Sequence, residues 1–235
     1  MLLLAADTSG KQGTIALARL MPPPENHPRA DPKSANQIDT IDMVSIAGGT
    51  FSAQLVPQIA ALLSKHGFKK EDISGFAVAS GPGSFTGLRV GLAAIKALAE
   101  VMGKPIAAVS LLEAVASAEH ISGRIMAALD AGRAQVYAGE YEIKDDTQML
   151  SERLLTIDEL VAAATGCTVV TPDQNVADQV RRAGLGVREV ERPRSDAIAR
   201  LGRQKILAGT TVSPEDLDPN YIRRFDGEIV SKQHR

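Results

Sequence analysis

Leu2-Leu3-Leu4-Ala5-Ala6-Asp7-Thr8-Ser9-Gly10 is a short apolar run that stops at an aspartate and a turn. Apolar residues resume in Gly13-Thr14-Ile15-Ala16-Leu17-Ala18, so the two runs read as the strands of a hairpin. Half a chain later the same unit returns. Ile125-Met126-Ala127-Ala128-Leu129-Asp130 ends in aspartate, Ala131-Gly132-Arg133 turns, and Ala134–Glu142 carries on as a strand. Ile41–Ala47 follows the first hairpin and Gln148–Leu155 the second, so each hairpin grows into an antiparallel trio. Two hairpins can look alike by chance, but three strands repeated in step favour a duplicated domain.

Outward from each trio the pattern switches to alternating helix and strand. After the first come helix 51–66, strand Phe76–Ala79, helix 88–102, strand Ile106–Val109 and a helix from Leu111 to about Glu119. Ser110 and Glu113 have capping-box spacing at its start. After the second come helix 157–164, strand Thr168–Val170, helix Gln174–Arg182, strand Val187–Val190 and helix Asp196–Leu207. Trios followed by helix–strand alternation give an α/β class in two domains, 1–107 and 108–235. Residues 21–39 break the pattern with Pro22, Pro23, Pro24, Pro28 and Pro32, and read as a surface loop or disordered insertion.

Ser80-Gly81-Pro82-Gly83-Ser84-Phe85-Thr86-Gly87-Leu88-Arg89 joins a strand to a helix through a glycine-rich turn. Such a turn lets backbone approach a partner closely, and the N–H groups of the next helix can face an anion. It is not a P-loop, because Leu88-Arg89 stands where Lys and Ser/Thr are needed, and Thr86 occupies the third glycine position of a dinucleotide fingerprint. A tight connection with no ligand accounts for it equally well.

The helix that this loop launches is apolar nearly all round. Only Arg89, Lys96 and Glu100 form a polar stripe, and Gly91, Ala94 and Ala97 are small enough to admit another helix. In helix 51–66, Leu55, Ile59 and Leu62 share a side that Val56, Ala60 and Leu63 widen to roughly 160°, more than a surface helix usually buries. Pro57 bends this helix or marks its first turn. The two helices can cover each other in part, and their excess apolar surface predicts a paired-helix face that meets a second pair across a subunit interface.

Composition bounds the rest. The 235 residues are 44% apolar and 23% charged, as in an ordinary soluble protein. One cysteine, Cys167, excludes an internal disulfide framework, and the apolar start lacks a basic lead and ends at Asp7, which points to a cytoplasmic chain without a membrane span. A net charge of −2 gives no strong pull toward nucleic acid. Residues 181–205, with eight Lys/Arg against three Asp/Glu, could touch RNA phosphates or simply form a solvated face.

For chemistry, Asp7 and Asp130 at equivalent strand ends could hold Mg²⁺ and phosphate across a cleft, or each could accept N–H bonds in its own turn. His27, His66, His120 and His234 are never paired at metal-binding spacing, so no metal site is expected. Ser84 lacks the nucleophile-elbow pattern.

Leu4-Ala5-Ala6-Asp7-Thr8-Ser9, the Ser80–Arg89 loop, Val109-Ser110-Leu111-Leu112-Glu113-Ala114, Leu129-Asp130-Ala131-Gly132-Arg133 and Pro219-Asn220-Tyr221-Ile222-Arg223 together resemble the bacterial TsaB (YeaZ) family, in the family's order. The resemblance implies two ribonuclease-H-like domains of the ASKHA superfamily. It implies a non-catalytic subunit in N6-threonylcarbamoyladenosine synthesis on tRNA, paired with the transferase TsaD and joined by the ATPase TsaE. A homodimer through a similar surface is also implied, with tRNA contact at most indirect and no cofactor or membrane. The partner interface would then draw on Leu55, Ile59, Leu62, Leu63, Arg89, Leu92, Ala93, Lys96, Ala97 and Glu100. Asp7, Thr8, Ser9, Gly81, Gly83, Ser84, Asp130 and Arg133 would line a vestigial nucleotide cleft. Phe51–Pro57 lacks the paired-histidine metal motif of TsaD-like relatives, and reads Ser-Ala-Gln where many family members have His-Ser-Glu. The alternative is an ASKHA-type ATPase or small-molecule kinase using Asp7 and Asp130.

Overall fold

The computed structural model describes residues 1–20, 38–118, 121–144 and 147–222. They form two compact units, one of Met1–Ala114 with Pro193–Pro219, the other of Val115–Arg192 with the chain from Asn220.

In the first unit β1 (Leu2–Asp7), β2 (Gln12–Leu20) and β3 (Ile38–Ala47) form an antiparallel trio. β4 (Ile73–Gly81) and β5 (Ile106–Ser110) then add in parallel, giving the order β3-β2-β1-β4-β5. The second unit repeats this. β6 (Gly123–Gly132), β7 (Gln135–Ile143) and β8 (Thr147–Thr156) are antiparallel, while β9 (Thr168–Thr171) and β10 (Val187–Glu189) add in parallel on the far side of β6. Numbered from its own first strand, each sheet runs third, second, first, fourth, fifth. The duplication seen in the hairpins therefore extends to the whole topology. Of the proline-rich stretch, residues 21–37 lie outside the described residues, and Ile38 and Asp39 already belong to β3.

All six residues of β1 are buried, because helices cover both sides of the first sheet. Leu2, Leu4 and Ala6 join a cluster with Leu55, Ile59 and Leu62 of α1 (Phe51–Lys65) and Leu88, Leu92 and Ile95 of α2 (Phe85–Met102). On the other side, a side chain at Gly75 would lie 3.5 Å from Leu3 and 3.0 Å from Ile206, which belongs to α6 (Ser195–Leu207). Gly202 of α6 sits so close to β4 that a Cβ there would be 2.3 Å from that of Ala77. Buried Thr14 of β2 accepts the Ser195 N–H at 3.0 Å and the Ser195 hydroxyl proton, and Lys205 pairs with Glu113 at 3.0 Å.

These contacts depart from a division at residue 107. β5 runs past that point within the first sheet, and α6, which follows the second sheet in sequence, packs on the first. The physical reason is the alanine-lined side of the sheet, with Ala5, Ala16, Ala18, Ala77 and Ala107 at 0% exposure, which only a close-fitting helix can cover.

The second unit has its own core, in which Met126, Ala128, Val136 and Ala138 meet Leu160 of α4 (Ile157–Ala163) and Val176 and Val180 of α5 (Gln174–Arg182). Thr156 and Glu159 form a capping box on α4. Where a box is expected at Ser110 and Glu113, Ser110 accepts from the Leu112 N–H at 3.2 Å, and α3 (Leu111–Ala116) ends before Glu119, which lies outside the described residues. Pro57 lies inside α1, beyond its first turn. Among the described residues no helix is long and apolar enough to cross a membrane.

At the end of α1, Asp42 of β3 accepts from Lys65 Nζ at 2.7 Å and lies 2.8 Å from His66 Nε2. The His66 and Lys65 hydrogen bonds, with one from the Met43 N–H, hold the Asp42 carboxyl below the usual carboxylate range. A depressed folded-state pKa adds stability above the ordinary value of about 4 and loses it as pH falls through the lowered one. Asp42→Asn should therefore flatten the acid limb of the stability–pH curve, measured by urea unfolding; an unchanged limb would refute this role.

Candidate functional site

The glycine loop is packed against the turn between β1 and β2. The Ser84 N–H donates to the Ser9 carbonyl at 2.7 Å, and the Thr8 hydroxyl donates to the Gly87 carbonyl at 2.7 Å. A Cβ on Gly83 would lie 2.6 Å from Ser9, one on Gly87 2.0 Å from the Thr8 carbonyl, and one on Gly91 2.2 Å from Thr8 Oγ1. Gly83, Gly87 and Gly91 recur every fourth residue, so they form one glycine stripe that admits Thr8 and Ser9. Only Gly81 is needed for its dihedral, with φ of +122°.

The N-terminus of α2 is thus engaged by the chain itself. Ser84 caps it, accepting from the Gly87 N–H at 3.3 Å, and Leu88 N–H bonds the Ser84 carbonyl at 2.8 Å. The helix begins at Phe85, three residues earlier than its apolar pattern suggests, because this cap fixes the start.

Asp7, Thr8 and Ser9 are buried, at 8%, 2% and 3% exposure. Asp7 accepts the Ser9 N–H at 2.8 Å, two residues on. Asp130 in the second unit repeats the geometry, accepting the Gly132 N–H at 2.8 Å. Its own N–H donates to Asp173 Oδ2 at 2.7 Å, and Arg192 lies 3.5 Å from Asp173 Oδ1. Arg133 holds a φ of +57° at the tip of the β6–β7 hairpin and is exposed. Each aspartate therefore orders its own turn. Among the described residues, no group of three or more His, Cys, Asp or Glu could hold a metal ion.

The paired helices divide the interface candidates in two. Leu55, Ile59, Leu62, Leu63 and Leu92 are only 1–6% exposed and belong to the core. The wide apolar arc of α1 is spent largely on its own sheet and on α2. Gly91, thought small enough to admit another helix, instead faces Thr8. Arg89, Ala93, Ala97 and Glu100 are exposed and Lys96 half-buried. The Arg89 guanidinium stacks 3.7 Å from the centre of the Phe85 ring. Ala53, Pro57, Ala60 and Val56 are exposed on α1, and Val101 on α2 is 85% exposed. Val56 and Val101 each belong to an apolar pattern, and only packing reveals that they face outward.

Three cations of the basic segment are ion-paired where they lie. Arg181 pairs with Asp178 at 3.0 Å and with Glu189, Arg192 with Asp173, and Lys205 with Glu113, while Arg203 is buried at 4% exposure. Burial also pushes the Cys167 thiol pKa up, away from reactivity.

A family model described as TsaD, tRNA N6-adenosine threonylcarbamoyltransferase, matches residues 45–212. The chain is 32% identical over 190 residues to tRNA threonylcarbamoyladenosine biosynthesis protein TsaB of Bacillus subtilis (strain 168), covering 75% of this chain and 81% of that one. To TsaB of Escherichia coli (strain K12) it is 30% identical over 184 residues, covering 72% and 79%. YeaZ from Pseudomonas aeruginosa superimposes with a TM-score of 0.69 at 23% identity, over 93% of this chain and all of that one. Two open, mixed sheets of one topology define a protein of duplicated ribonuclease-H-like domains, and YeaZ shares the fold. The chain belongs to the TsaB family, within the broader group that the TsaD model describes.

Proposed function

We propose that the protein is a non-catalytic subunit for N6-threonylcarbamoyladenosine synthesis on tRNA, and that it docks on a TsaD-type transferase through the outer faces of α1 and α2. The observation that carries the docking is the exposed run of small and apolar residues, Val56 and Ala60 on α1 and Ala93, Ala97 and Val101 on α2, set on helices whose inner faces are firmly held. A TsaE-type ATPase joins the assembly, and in the transferase's absence a second copy can use the same face.

The glycine loop supports a subunit without catalysis of its own, because Thr8 and Ser9 fill the space beside Gly83, Gly87 and Gly91. Asp7 and Asp130 are each engaged in an Asx turn, which argues against the kinase or ATPase alternative. The ion pairs of Arg181, Arg192 and Lys205 reduce the charge that the basic segment can offer to tRNA.

Purified alone, the protein should give no threonylcarbamoyl transfer to tRNA, and transfer should appear when the same organism's TsaD homologue and the threonylcarbamoyl adenylate are added. Transfer by this chain alone would overturn the proposal. Calorimetry with ATP and Mg²⁺ tests the alternative, which requires micromolar binding that Asp7→Asn abolishes.

A further inference from the structure

We propose that residues 208–219 form a strap that sets the stance of α2 and so controls the docking face that α2 carries. The second half rests on the function proposed above; the first does not.

After α6 the chain leaves the alanine-lined side of the first sheet and meets its outer strand, β5. There the Val212 N–H donates to the Ile106 carbonyl at 2.9 Å in an isolated antiparallel bridge. A tight turn follows, in which the Ser213 hydroxyl donates to Asp216 Oδ2 at 2.7 Å and the Asp216 N–H donates back to Ser213 Oγ at 3.1 Å. The chain emerges on the opposite side of the sheet. Leu217, 4% exposed, enters the cluster that holds Leu88, Leu92, Ile95 and Ala99 of α2, and Lys96 of α2 donates to the Glu215 carbonyl at 3.3 Å. One segment thus wraps the sheet edge from the α6 side to the α2 side.

Both ends of this wrap are fixed. The Thr14–Ser195 bonds and the close seat of Gly202 anchor α6, so the strap cannot slide without unseating a helix. Its far end contributes a buried side chain to the core beneath α2, and a lost leucine there leaves a void that α2 must move to fill. A partner that docks on Ala93 and Ala97 never touches buried Leu217, yet needs the helix that Leu217 supports.

The test uses the full chain as wild type, Leu217→Ala and the milder Leu217→Val. Amide hydrogen exchange is read along residues 85–102, and affinity for the organism's TsaD homologue by sedimentation. Leu217→Ala should speed exchange in α2 roughly tenfold, leave the second unit's exchange unchanged, and weaken the complex about tenfold, with Leu217→Val intermediate. If Leu217→Ala does not fold, Leu217→Val decides alone. Wild-type exchange in α2 in the folded variants overturns the strap, and a loosened α2 that binds with full affinity overturns its control of docking. If wild-type protein fails to bind the TsaD homologue at all, the proposed function falls, while the exchange measurement still decides whether the strap holds α2.

Discussion

Ala97→Glu should abolish co-sedimentation with the TsaD homologue while leaving the thermal unfolding of the free protein nearly unchanged. Ala97 is exposed on α2, so in the free chain the new carboxylate stays in water and costs only a few tenths of a kcal/mol in helix propensity. In the complex it would be buried among small apolar side chains without a cation built to meet it. An uncompensated buried charge costs about 3–5 kcal/mol, so affinity should fall by at least about 100-fold. Unaltered affinity would remove α2 from the interface.

Leu92→Glu is the instructive contrast. On the helical wheel both positions belong to the same long apolar helix, and either looks like an interface residue. Leu92 is 4% exposed in the core, so a glutamate there would unfold the first unit and report nothing about partners. An experiment that used Leu92→Glu alone would see lost association for the wrong reason.

The same contrast explains how much was legible in the sequence. The strand trios, the glycine turn and the alternating helices were readable because periodicity follows backbone geometry, and the Asp7 and Asp130 echo revealed the duplication. Which side of an all-apolar helix faces the sheet was not readable, because the pattern carries no phase when nearly every position is apolar. The glycine stripe at 83, 87 and 91 did carry a signal in its four-residue spacing. Contacts such as Thr14 with Ser195, 181 residues apart, leave no mark in local spacing. The return of α6 to the first sheet is of that kind, and with it the strap.

The stripe makes the second large prediction, which tests whether Gly87 is there for its missing side chain. By helix propensity alone, Gly87→Ala in the first turns of α2 should stabilise the protein by up to about 1 kcal/mol. The geometry reverses the sign. The new Cβ would lie 2.0 Å from the Thr8 carbonyl oxygen, which is backbone and cannot rotate aside. Either α2 lifts off the β1–β2 turn, breaking the Thr8 hydroxyl bond to the Gly87 carbonyl, or the fully buried strand β1 shifts. Overpacking of this kind costs about 1–3 kcal/mol and occasionally more, and the hydroxyl bond adds about 1. A net loss of about 3 kcal/mol should lower the melting temperature by roughly 6–12 °C in a protein of this size. Gly91→Ala should act in the same direction, because its Cβ would meet Thr8 Oγ1, and Thr8→Ala should relieve that second clash but not the first. A stabilised Gly87→Ala would mean that the loop is open and that Thr8 and Ser9 do not fill it, which would reopen the space beside the helix to an anion.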